Sequence, residues 1–162
     1  MPKYVPRAGA LRMTNLFTLD IAEIAISYST NVKPGDRVKI TTSKTAYEVF
    51  AAGWPSYEHR EYFYIILMNR ANKVLGVSQI SVGGISGTVV DPKLVFQTAL
   101  KANASSIILG HNHPSGELIP SDADITLTRK IKEAGALLEL PILDHLIMNS
   151  ETYLSLADEG RM

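Results

Sequence analysis

Residues 108–124, ILGHNHPSGELIPSDAD, decide how this chain is read. The whole sequence has four histidines, and two of them, His111 and His113, stand one residue apart behind an apolar run. In an extended strand, residues two apart share a face and lie ~6–7 Å apart along the chain. On a helix they would diverge. The pair therefore asks for a strand end, and SSIIL (105–109) supplies the strand. Pro114 and Gly116 then turn the chain away. If a helix opens at Ser121, Asp124 falls in its first turn and can reach back towards the imidazoles. Two His and one Asp leave a fourth coordination position for water, the arrangement of a catalytic rather than a structural metal. Ser121-x-x-Asp124 also fits a capping box, so spacing alone leaves Asp124 divided between ligand and cap.

Working outward, PSDADITLTRKIKEAGALL reads as a helix from Ser121 to near Gly135, and PILDHLIM (141–148) as a strand. NSETYLSLADEG closes with a turn and a last short element. Upstream, Asp91 caps a helix with Pro92 at its first position, and Val95, Phe96, Ala99 and Leu100 form its apolar stripe. EYFYIILMN (61–69) and KVLGVSQISVG (73–83) read as a hairpin in the middle of a sheet. Ser43 stands near the N-cap of a helix ended by Gly53-Trp54-Pro55, RVKI (37–40) reads as a short strand, and residues 20–29 alternate as another. Residues 1–16 read as a flexible arm and 17–162 as one domain. Strands and helices in this order predict an α/β sandwich with a central mixed β-sheet.

A chain of 162 residues suits one core without staples. It has no cysteine, so disulfides and thiolate metal sites are excluded. No apolar stretch approaches the ~18–20 residues that span a bilayer, and the amino-terminal segment lacks the apolar core of a signal peptide. A cytoplasmic location is the expectation. Sixteen basic and sixteen acidic residues cancel, which argues against a dominant grip on nucleic acid.

HNHPSGELIPSDAD resembles the signature of the JAMM metallopeptidases, also called MPN+ or JAB domains: His-x-His-Pro, six residues, Ser, two residues, Asp. HNHPSG together with LDHLI (143–147) is closer still to the bacterial RadC-like branch, over about residues 61–162. The resemblance implies a cytidine-deaminase-like α/β/α sandwich. It implies His111, His113 and Asp124 as Zn2+ ligands and Ser121 as a stabiliser of the oxyanion. It also implies an upstream glutamate that activates the zinc-bound water; EYFYIILMN matches the family's wording, pointing to Glu61, with Glu58 as a near rival. The implied activity is hydrolysis of an amide bond in a peptide or isopeptide. The branch also carries a DNA-repair label, so nucleic-acid binding or a metal-dependent nuclease is the alternative, and a relative that has lost activity is a third, disfavoured by the complete ligand set.

Other residues have plainer readings. Asp144 and His145 point to opposite faces of a strand, so a structural or ligand-orienting role is expected. His59 lies in a polar turn and Glu117 in an exposed loop. GGISGT (83–88) lacks the full spacing of a phosphate loop and reads as a flexible connection whose Thr88 borders the site.

Overall fold

The computed structural model describes residues 27–84 and 89–162. The arm at 1–16 and most of the strand expected at 20–29 lie outside the described residues; residues 27–29 have no regular structure. The elements are α1 (Ser43–Ala51), β1 (Tyr62–Met68), β2 (Val74–Val82), α2 (Pro92–Lys101), β3 (Ser106–Asn112), α3 (Asp122–Leu137), β4 (Ile142–Met148) and β5 (Tyr153–Ser155). The strands form one mixed sheet in the order β2-β1-β3-β4-β5. Only β3 and β4 are parallel, joined through α3; β1–β2, β1–β3 and β4–β5 are antiparallel. A parallel pair needs such a crossover, and a strand covered on both faces reads as a continuous apolar run. Every residue of β3 is buried.

Strand alternation divides the core into two layers. Phe63, Ile65, Leu67, Ile107 and Leu109 face Val95, Phe96 and Ala99 of α2 and Ile131 of α3. Ile66, Met68, Ile108, Leu146 and Met148 face Ala46 and Phe50 of α1. The sheet is therefore sandwiched, α1 on one side and α2 with α3 on the other. Gly110 lies under α1, and a Cβ there would meet the Phe50 ring at 2.7 Å. A side chain at this point would force the Phe50 ring of α1 to move.

Several boundaries differ from the sequence reading. The β1–β2 hairpin forms, but β2 is an edge strand. Its turn is held by Asn69, whose Oδ1 accepts from the amides of Ala71 and Lys73. The strand expected at 37–40 is a single bridge, Lys39 to Lys73. Thr42, not Ser43, caps α1, accepting from the Thr45 amide. Asp91 caps α2 as expected, but Leu100 is exposed, because the buried stripe ends at Ala99. Helix α3 passes Gly135 and ends at Leu137, and Leu140 closes it by donating to the Gly135 carbonyl.

Candidate metal centre

The site is assembled at one end of the sheet. His111 is the penultimate residue of β3, and His113 follows the strand. Because β1 runs antiparallel to β3, with Phe63 opposite His111, the residue that precedes β1 arrives at this same end. That residue is Glu61. Asp124 lies in the first turn of α3, at the head of the helix's buried stripe of Asp124, Thr128, Ile131 and Gly135. The helical repeat turns this stripe towards the sheet, so the carboxylate meets the histidines.

His111 Nε2 and His113 Nε2 lie 3.0 Å apart. Asp124 Oδ1 is 3.2 Å from His111 Nε2, and Oδ2 is 3.3 Å from His113 Nε2. These three residues are the one His/Asp/Glu group able to hold a metal among the described residues. Bonds of ~2.0–2.1 Å from a tetrahedral ion separate its ligand atoms by ~3.3 Å, so the spacing fits.

Hydrogen-bond accounting fixes both imidazoles. His113 Nδ1 lies 2.8 Å from the Glu117 carbonyl, which can only accept, so Nδ1 carries the hydrogen. Gly116, at φ +79°, makes the turn that brings this carbonyl round, and its amide donates to the His113 carbonyl. His111 is fixed by a longer relay. Thr128 donates its hydroxyl hydrogen to the Asp124 carbonyl at 2.6 Å, so its oxygen must accept from His145 Nδ1, also at 2.6 Å. His145 is completely buried, and burial, followed by the neighbouring His111, drives its pKa well down, keeping the ring neutral. Its Nε2 therefore accepts from His111 Nδ1 at 2.8 Å. Both histidines thus hold their hydrogen on Nδ1 and aim Nε2 at the common point. Two such lone pairs 3.0 Å apart repel unless a cation or proton sits between them. The donor set therefore fits a metal.

The contact with Asp124 raises the His113 pKa, against a lowering by burial and with help from the Glu117 carbonyl. Burial would raise the Asp124 carboxyl, but the two histidine rings and Ser121 hold it far below the usual carboxylate range. Ser121 caps α3, completing a capping box in which its Oγ accepts the Asp124 amide and its amide donates to Asp124 Oδ2. Asp124 is thus both cap partner and member of the triad. The Ser121 hydroxyl hydrogen is directed at Asp124 Oδ2, 2.7 Å away, rather than at open space.

Glu61 is half-buried; burial raises its pKa, the charges of His111 and His113 lower it, and Asp124 raises it. Glu58 and His59 are exposed. Asp144 turns away from the site: Oδ2 accepts from Ser155 and Oδ1 from the amides of His145 and Ala157. Glu117 is exposed and contributes only its carbonyl. Thr88 and the rest of residues 85–88 lie outside the described residues. Thr128 was not singled out from sequence, although its place four residues after Asp124 on one helix face was a signal. Phe63 floors the site, its ring stacked near His111 and edge-on to His145.

Comparison with known proteins agrees with this geometry. A family model described as RadC-like JAB domain matches residues 40–161. A UPF0758 protein of Flavobacterium johnsoniae is 48% identical over 122 residues, covering 75% of this chain and 53% of the relative. One from Alkaliphilus metalliredigens is 37% identical over 139 residues, covering 81% and 60%. One from Caldanaerobacter subterraneus is 31% identical over 169 residues, covering 98% and 71%. The chain thus spans about half the length of the first two relatives.

Proposed function

Because the chain belongs to the RadC-like JAB domain family and presents a preorganised His/His/Asp triad, we propose that it is a zinc-dependent hydrolase of peptide or isopeptide bonds. The observation that carries this reading is the convergence of two Nε2 lone pairs and a carboxylate, with a half-buried glutamate at the same end of the sheet. Two nitrogens and one oxygen, without thiolate, suit zinc at a catalytic centre. Zinc held by His111, His113 and Asp124 would supply a Lewis acid for a carbonyl oxygen and a water acidified to near neutrality.

The chain's own residues supply the rest. Glu61, poised by its partial burial, takes the proton of the attacking water and delivers it to the leaving amine. Glu61 is favoured over Glu58 because it directly precedes β1 at the His111 end of the sheet and is half-buried, whereas Glu58 is exposed. Ser121 keeps its cap by accepting the Asp124 amide, and rotation about Cβ–Oγ turns its hydrogen from Asp124 to a developing oxyanion. Phe63 and the buried His145 make the floor dry, strengthening these interactions. A formal net charge of zero supports a peptide rather than a polyanionic substrate.

The test is cleavage of peptide and isopeptide libraries by zinc-loaded protein, with Glu61→Gln as control. The variant should keep its zinc and lose about 10²–10⁴-fold in kcat. Undiminished cleavage by Glu61→Gln would overturn the assignment.

A further inference from the structure

The residue between the two histidines is unused in the scheme above, yet it is completely buried. Alternation along β3 sends the Asn112 side chain to the face opposite His111, towards the segment that leads into β1. A buried carboxamide must satisfy its donors and acceptor or cost stability. Asn112 does so only with main chain: Nδ2 donates to the carbonyls of Tyr57 at 3.0 Å and Arg60 at 2.9 Å, and Oδ1 accepts from the Tyr62 amide at 2.9 Å. The Arg60 carbonyl belongs to the peptide unit before Glu61, and the Tyr62 amide to the unit after it. One carboxamide thus holds both peptide planes that flank the Glu61 Cα.

We propose that Asn112 is a positioning residue for Glu61, locking the backbone of the proton-carrying carboxylate to the strand that carries the metal ligands. The inference rests on the role proposed for Glu61. His111 and Asn112 are adjacent in one rigid strand, so the clamp sets the distance between base and triad through covalent structure. The main-chain bonds of Glu61 itself run to the β2 side, so this clamp is what ties its two flanking peptide units to β3. Glu58, His59 and Arg60 are exposed, and the other main-chain bonds of Glu61 are to Gly83 and Gly84, at 2.8 and 3.4 Å. The chemistry also specifies the residue type. Aspartate would turn an oxygen towards two carbonyls, serine is too short to span them, and glutamine is one methylene too long.

The experiment compares wild type, Asn112→Asp and the neutral, smaller Asn112→Ser. Zinc stoichiometry should be retained, because both ligand side chains and their Nδ1 partners are untouched. The kcat should fall by about 10²-fold with KM near wild type, the loss expected of a carboxylate misplaced by an ångström. In a Glu61→Gln background the same substitutions should cost nothing further. Amide exchange read by NMR supplies an activity-free measure: the Tyr62 amide should be protected like the sheet core in wild type and lose that protection in the variants, while Leu109 keeps its own. Unchanged kcat in the variants, an equal loss in the Glu61→Gln background, or an unprotected Tyr62 amide in wild type would each overturn the proposal. The last of these needs no variant to fold. Absence of any hydrolysis by wild type would instead sink the hydrolase reading, and the exchange data would still decide whether the clamp exists.

Discussion

At the residue scale, the triad carries opposed charges whose titration shapes stability. The Asp124 pKa is depressed in the folded state, so its contribution is present above about pH 3.8 and fades as pH falls through the lower folded value. The His113 pKa is raised, so its contribution is complete below about pH 6.5 and fades as pH rises through the higher folded value. Ion-free protein should therefore gain most from this pair between those limits. Denaturant titrations of chelated wild type and Asp124→Asn across pH measure it: their stability difference should peak in that window, and a flat difference would contradict the pairing. Much of this site was legible in the sequence because the His-x-His and Ser-x-x-Asp spacings are local, and local spacing fixes which face of a strand or helix a side chain takes. Glu61 was chosen over Glu58 from the wording of EYFYIILMN alone; that it stands at the same end of the sheet as the histidines depends on the pairing of Phe63 with His111 across 48 residues, which no local spacing reveals. Nor was the hydroxyl hydrogen of Ser121 foreseeable; the capping box directs it to Asp124.

At the element scale, α3 does two things with one face. Its buried stripe packs against the sheet and also delivers Asp124 and Thr128, one turn apart, to the histidines. Thr128→Val removes the acceptor for His145 Nδ1 and frees the relay that sets the His111 tautomer. It should weaken zinc affinity by about 10–100-fold, the usual cost of losing an outer-sphere partner, as calorimetric titration would show. Unaltered affinity would mean that the relay does not orient His111. On the opposite face, Gly110→Ala drives a methyl group into the Phe50 ring. Overpacking of this kind costs about 1–3 kcal/mol, measurable by denaturation, and Phe50→Leu in the same chain should recover part of it. The element types were legible from periodicity and caps. Their ends were less so: the apolar pattern of α2 continues to Leu100, where burial has already stopped, and nothing in RVKI reveals that it finds a partner at one residue only.

At the scale of the whole molecule, the sheet order brings the pieces together. Placing β1 antiparallel beside β3, and β4 parallel on its other side, sets Glu61, the histidine pair and His145 around one end of a central buried strand. The α/β class follows from the sequence of elements, but the order β2-β1-β3-β4-β5 does not, because apolar runs do not say which neighbours they pair with. Thus the hairpin, expected inside the sheet, closes its edge. No described helix is long and apolar enough to cross a membrane. The most direct measurement of the central claim is the metal content of purified protein, by elemental analysis after dialysis against zinc, for wild type and His113→Ala. One zinc per chain in wild type and none stoichiometrically bound in the variant is the predicted result; a wild type without bound metal, or a variant that keeps its full complement, would contradict the account.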